Sequence, residues 1–307
     1  MKQYINSICS KYIHIYKNKY NKPLTITQGS PSHKINKVVV FDLDETIGSF
    51  GELMVLWNCL ELIKDQYKLS LDINQDLFNI FLDLYPECLR YGILVIFEYL
   101  LHKKKTGECS KIFVYTNNKG SPHWPNKIKG FIDYKLNVTD FIDKIIHAFK
   151  INNIIIEPMR TDVKKSYTDF IRCSVLSKKT EICFIDDTYY NKMKHDKIYY
   201  IQPKAYNHKL LHSQIMSRLF QSDFFIKKVL YEKMENKESI IDFITRYFKQ
   251  YYPSEYNNQL TIEMPIDVLI SQKIMYHIKD FFYLTTRNMK TRKIQIAFGN
   301  FTRKKRK

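Results

Sequence analysis

The run Lys37-Val38-Val39-Val40-Phe41 constrains this chain more than any other feature. Four consecutive apolar residues, three of them β-branched, make a strand buried on both faces, as in a parallel sheet, where a half-exposed antiparallel strand would alternate. Three further runs share that character: Lys111 to Tyr115, Glu181 to Ile185 and Lys197 to Ile201, with a weaker one at Asn153 to Ile156. Between them, apolar residues at three-to-four spacing predict helices over Leu53 to Tyr67, Asp76 to Leu84, Leu89 to Lys103, Trp124 to Tyr134, Asp140 to Phe149 and Lys164 to Leu176. Buried strands alternating with amphipathic helices predict an α/β fold, a doubly wound parallel sheet with right-handed crossovers.

Residues 1–36 read as a polar lead-in and 37–221 as the sheet-bearing core. About seventy residues separate the first two strands, more than a crossover helix needs, so a helical insertion at about 51–106 is expected over the carboxyl edge of the sheet. Beyond Ser222 the patterns over Asp223 to Tyr251 and Ile262 to Leu284, split by Pro253-Ser254, predict a C-terminal helical extension over 222–285. Residues 286–307 form a basic tail with no acid, including Arg287, Lys290, Arg292, Lys293 and the final Arg303-Lys304-Lys305-Arg306-Lys307.

A net charge of +18 argues against a preference for small neutral metabolites and favours anionic partners: a phosphoprotein, or nucleic acid bound in part through the basic tail. The six cysteines are scattered, with no Cys-x-x-Cys pair, so neither a disulfide framework nor a structural zinc site is expected. The longest apolar run, near Ile93 to Leu101, is broken by Glu98 and too short to span a bilayer, and the start of the chain lacks the apolar core of a signal peptide. A soluble, intracellular protein with no membrane partner is the expectation.

The first buried strand runs directly into Asp42-Leu43-Asp44-Glu45-Thr46. Two carboxylates two residues apart thus stand at the carboxyl end of a parallel strand, where doubly wound folds place their active sites. The pattern resembles the first motif of the haloacid dehalogenase superfamily in its phosphatase form. Three more signals follow in that family's order: a strand ending in Thr116, the Lys164-Lys165 pair opening a helix, and Cys183-Phe184-Ile185-Asp186-Asp187-Thr188, a strand ending in adjacent acids. Buried acids are expensive unless paired or metal-bound. The four signals span roughly residues 37–202.

The resemblance implies a Rossmann-like core with a helical cap, and a magnesium-dependent phosphatase working through an aspartyl-phosphate on Asp42. Asp44 is then the acid and base, Thr116 and Lys165 complete the catalytic set, and Thr46, Thr116, Asn117 and Lys165 hold the phosphate. Magnesium would sit on Asp42, the backbone carbonyl of Asp44, Asp186 and Asp187, a set of hard oxygen donors. Lys165 is preferred to Lys164 as the motif lysine. A second Asp at position 44 sets the chain apart from haloacid dehalogenases proper, and transport ATPases carry a Lys-Thr-Gly-Thr sequence absent here.

Asp-Leu-Asp-Glu-Thr is most similar to phosphatases of the RNA polymerase II C-terminal domain, although those close with Asp-Asn-Ser and this chain has Asp186-Asp187-Thr188. The segment Tyr115-Thr116-Asn117-Asn118-Lys119-Gly120 is similar instead to the second motif of polynucleotide 3′-phosphatases. The block from Thr116 to His208 resembles an uncharacterised branch of the superfamily in large DNA viruses, which implies the cytoplasm or nucleus of a host cell, or the virion, as its location. His123 and Trp124 are read either as substrate contacts or as core or rim residues, and Arg160 either as a grip on phosphate or as a surface arginine. The substrate is expected to be a phosphoprotein or a nucleic-acid end. The alternative is a basic nucleic-acid-binding or virion-associated protein that keeps the fold without turnover.

Overall fold

The computed structural model describes residues 11–17, 20, 22–23, 36–253 and 263–285. Its centre is a six-stranded sheet formed by β1 (Ile13–Tyr16), β2 (Lys37–Phe41), β3 (Lys111–Tyr115), β4 (Lys144–Ile146), β5 (Glu181–Ile185) and β6 (Ile198–Pro203). The strand order is β1-β6-β5-β2-β3-β4, parallel throughout except for β1, which pairs antiparallel with β6. Every residue of β2 and β5 is buried, as the unbroken apolar run requires.

The chain moves outward from β2 to β3 and β4, then returns across the sheet to β5. The two central strands β2 and β5 therefore flank the point where the winding reverses, the place such sheets reserve for a ligand.

One face of the sheet carries Val39, Phe41, Ile112, Val114, Cys183 and Ile185. The same apolar cluster takes in α1 (Gly51–Tyr67), α2 (Gln75–Asp83), α3 (Ile93–Lys105), α4 (Trp124–Leu136), α6 (His212–Gln221), α7 (Lys237–Tyr251) and α8 (Glu263–Tyr283). The opposite face, with Val38, Val40, Phe113, Tyr115 and Phe184, is covered by α5 (Tyr167–Ser174) through Phe170 and Cys173. The inserted helices lay their apolar sides on the sheet face, with Phe97 of α3 meeting Phe41 edge-on at 5.3 Å. The start of α1, at Gly51 and Glu52, reaches the carboxyl edge and lines a cleft of about 570 Å³ together with Asp44, Asn207 and His208.

Three differences from the sequence expectation have physical causes. Part of the polar lead-in supplies β1, an edge strand whose Ile13 is buried while His14 faces solvent. The helix expected over Asp140 to Phe149 is instead β4, and Asn153 to Ile156 forms a hairpin with Lys150–Ile151 outside the main sheet. Phe141, Ile142, Ile145 and Ile146 fit a helical template, but a short buried run fits a strand equally. Asp143 settles the pairing by accepting the Ile112 amide at 2.7 Å.

The single helix expected over Asp223 to Tyr251 is interrupted by a wide turn at Ile226–Leu230. Phe224, Phe225, Val229 and Leu230 are all buried, and their spacing of five suits a π turn better than an α turn. The basic tail lies outside the described residues. Cys59, Cys88, Cys109, Cys173 and Cys183 are free and buried. No helix among the described residues is long and apolar enough to cross a membrane.

Candidate active site

Parallel pairing sets Phe41 against Ile185, so the residues that follow, Asp42 and Asp186, emerge side by side. The Asp42 amide donates to the Ile185 carbonyl at 2.8 Å, which extends the ladder one residue into the site. Lys165 reaches in from the loop before α5. Its Nζ donates to Asp186 Oδ2 at 2.6 Å and to Asp42 Oδ1. All three side chains are nearly buried. Lys164, one residue earlier, is exposed, so Lys165 is the lysine that this fold brings to the acids.

Asp42, Asp186 and Asp187 each place a carboxylate oxygen within 4.8 Å of the others. Three carboxyl groups here meet one ammonium, an excess of acid that a bound cation would balance. The donors are hard oxygens, which suits a hard cation. Burial pushes the Asp42 and Asp186 carboxyls up against the pull of Lys165. Burial would also lower Lys165, but Asp186 and then Asp42 outweigh it and hold the ammonium above its ordinary range. The acids thus compete for one cation, and a second would relieve them.

The neighbouring groups hold the acids in place. The Thr46 hydroxyl donates to Asp187 Oδ1 at 2.8 Å and accepts the Asp187 amide at 3.0 Å. Thr46 is therefore engaged with the acid loop, where the sequence reading had it on the phosphate. The Thr188 amide donates to Asp186 Oδ1 at 2.9 Å. Asp44 Oδ2 accepts from Asn118 Nδ2 at 2.9 Å, and burial and then Asp42 raise its carboxyl to about 6. The side chain of Asp44 is outside the three-acid cluster.

Thr116 is fully buried at the end of β3, and its oxygen accepts the Asn118 amide at 2.9 Å, leaving its proton to donate elsewhere. Asn117 bridges two other groups: its Oδ1 accepts from Arg160 Nη2 at 2.8 Å and its Nδ2 donates to the Tyr190 hydroxyl at 3.0 Å.

Two buried arginines fix the loops. Arg160 donates to the Thr116 carbonyl at 3.1 Å, the His147 carbonyl at 2.8 Å and the Val163 carbonyl at 2.9 Å, so it is neither a surface cation nor a free phosphate clamp. Arg90, which nothing in the sequence singled out, donates to the carbonyls of Glu45, Thr46 and Lys204. It steadies Glu45, whose φ of 58° is a left-handed conformation that a non-glycine residue keeps only under constraint. Gly48 closes the same loop so tightly that a Cβ would stand 2.4 Å from the Cys88 carbonyl.

Trp124 is a core residue packed edge-on against Phe78 at 5.3 Å, while His123 is exposed. A signal for Arg90 was absent because its partners are backbone atoms, which leave no trace in side-chain spacing. Comparison with protein-family models, with curated proteins and with solved structures finds no match, so the functional reading rests on these residues and their geometry.

Proposed function

We propose that this chain is a magnesium-dependent phosphate monoester hydrolase of the haloacid dehalogenase type, with Asp42 as nucleophile. One arrangement supports the reading above all: Lys165 Nζ lies between Asp42 and Asp186, with Asp187 in reach, at the carboxyl ends of adjacent parallel strands. Asp42, Asp186, Asp187 and the Asp44 carbonyl would hold magnesium, which supplies charge to neutralise the non-bridging oxygens of the phosphoryl group.

An Asp42 carboxylate oxygen attacks phosphorus in line, and the bond from phosphorus to the leaving oxygen breaks. The leaving oxygen takes its proton from Asp44, which Asn118 orients. Asp44 then accepts a proton from water, whose oxygen attacks the aspartyl-phosphate and releases Asp42 and inorganic phosphate. Lys165 and the Thr116 hydroxyl donate to the phosphoryl oxygens throughout. The start of α1 forms one wall of the cleft beside Asp44, while the rest of the insertion packs on the sheet face.

Hydrolysis of a generic aryl phosphate by the wild type, dependent on magnesium and abolished in Asp42→Asn, is the expected result. Activity surviving in that variant would remove Asp42 from the nucleophile's role. The charge of +18 supports a second reading, a nucleic-acid-binding protein without turnover. That reading requires no hydrolysis of any phosphomonoester, with salt-sensitive oligonucleotide binding that Asp42→Asn leaves intact.

A further inference from the structure

Immediately beyond the acid loop stands Tyr189, a large aromatic side chain that is 38% exposed. It does not hang free. Its ring stacks on Tyr200 at 5.8 Å with planes 17° apart, and Tyr16 from the edge strand meets it at 4.9 Å.

Both supporting rings are tied to the acid loop. The Tyr200 hydroxyl donates to the Thr188 carbonyl at 2.6 Å and accepts the Tyr190 amide at 3.1 Å. The Tyr16 hydroxyl donates to Gln202 Oε1 at 3.1 Å, and Gln202 Nε2 donates to the Asp187 carbonyl at 3.1 Å. An exposed ring is thus braced by two rings that are themselves bonded to the loop carrying two of the three clustered acids.

Three exposed lysines adjoin the same segments in sequence. Lys119 is exposed next to Asn118, the residue that orients Asp44, and Lys164 is exposed next to Lys165. Lys192, three residues beyond Tyr189, is exposed and ion-paired to Asp162 at 2.8 Å. A pre-ordered aromatic face just past the clustered acids, with exposed lysines next in sequence to the site residues, matches the chemistry of a nucleotide chain: stacking accepts any base, and lysines follow the backbone. A phosphoserine carries no flat ring to lay on such a support.

We propose that the site takes its phosphate from the terminus of a single-stranded nucleic acid, with Tyr189 as the platform for the terminal base and Lys119, Lys164 and Lys192 as backbone contacts. The inference rests on the phosphomonoesterase reading and names its substrate class.

The test compares wild type, Tyr189→Ala and Tyr189→Phe on short oligothymidylates phosphorylated at the 3′ or the 5′ end, on an aryl phosphate and on a phosphoserine peptide. In Tyr189→Ala the ratio of kcat/KM for the preferred oligonucleotide to that for the aryl phosphate falls about tenfold, mainly through KM, and Tyr189→Phe keeps the wild-type ratio. The two oligonucleotides decide which end is used. Added salt raises KM for the oligonucleotide more than for the aryl phosphate.

An unchanged ratio in Tyr189→Ala, or a phosphopeptide turned over better than both oligonucleotides, overturns the inference while leaving the hydrolase reading intact. Absence of hydrolysis on every substrate removes the hydrolase reading instead. Fluorescence anisotropy with a labelled oligothymidylate then decides the platform, which stands if Tyr189→Ala weakens binding and falls if it does not.

Discussion

The two central strands begin and end on charge, and the two ends differ. At the amino end, Lys37 of β2 faces Glu181 of β5 at 3.7 Å and donates to the carbonyls of Phe281, Phe282 and Leu284, where α8 terminates. Among the described residues one ammonium meets one carboxylate and the negative end of a helix, an even pairing that docks α8. At the carboxyl end one ammonium meets three carboxylates. Burial pushes Lys37 down to about 8 despite Glu181, whereas at Lys165 Asp186 and Asp42 overcome burial and push it up. A buried lysine is therefore not in itself the mark of a site; an excess of acids around it is.

The largest expected effect tests the unbalanced end. Asp42→Asn should lower magnesium-dependent phosphatase activity by about 10⁴-fold or more, as loss of a covalent nucleophile does. The same change relieves crowding among the acids, so its metal-free thermal midpoint should not fall. A collapse in stability would mean that the carboxyl end is as structural as the amino end.

At the balanced end, Lys37→Met removes the ammonium beside buried Glu181 and uncaps α8. We expect a loss of about 3–5 kcal/mol in urea unfolding, with much of it recovered when Glu181→Leu is added. A near-neutral single mutant would contradict the docking role.

Magnesium should act on one end alone. At a hundredfold excess over its Kd it should add about 2.7 kcal/mol to the unfolding free energy of the wild type. Asp186→Asn should lose most of that gain, and Lys37→Met should keep it.

The smallest effect concerns His277 of α8, whose Nδ1 lies 2.9 Å from the Tyr199 hydroxyl. Burial and then Lys17 lower its pKa to about 4, below the ordinary 6.5. The unfolded chain therefore binds an extra proton between pH 6.5 and 4, and stability falls as pH is lowered through that window. Because the ring is only half-buried, the loss should be about 1 kcal/mol after solvent screening. His277→Gln should flatten that part of the curve of stability against pH.

Much of this was legible in the chain. The strands β2, β3 and β5 stand where their apolar runs predict them, because runs of five residues rich in β-branched and aromatic side chains are too short for a helix and favour a strand. Asp42 and Asp186 were legible because residues that directly follow a buried strand keep a fixed relation to its apolar run. The edge of the sheet was less legible: β1 and β4 are short and bury fewer residues, so their patterns overlap with loop and helix.

Sequence by itself determined the buried strands, their order of appearance and the acids at their ends, since these follow from local hydrophobic pattern and chain connectivity. Tertiary structure alone decided that Lys165 rather than Lys164 meets the acids, that Thr46 serves Asp187, and that Arg90 and Arg160 grip backbone carbonyls. It also gave Tyr189 its two supporting rings. The reason is physical: hydrogen bonds to backbone atoms and stacking between distant segments depend on where strands lie in space, and no spacing along the chain records that.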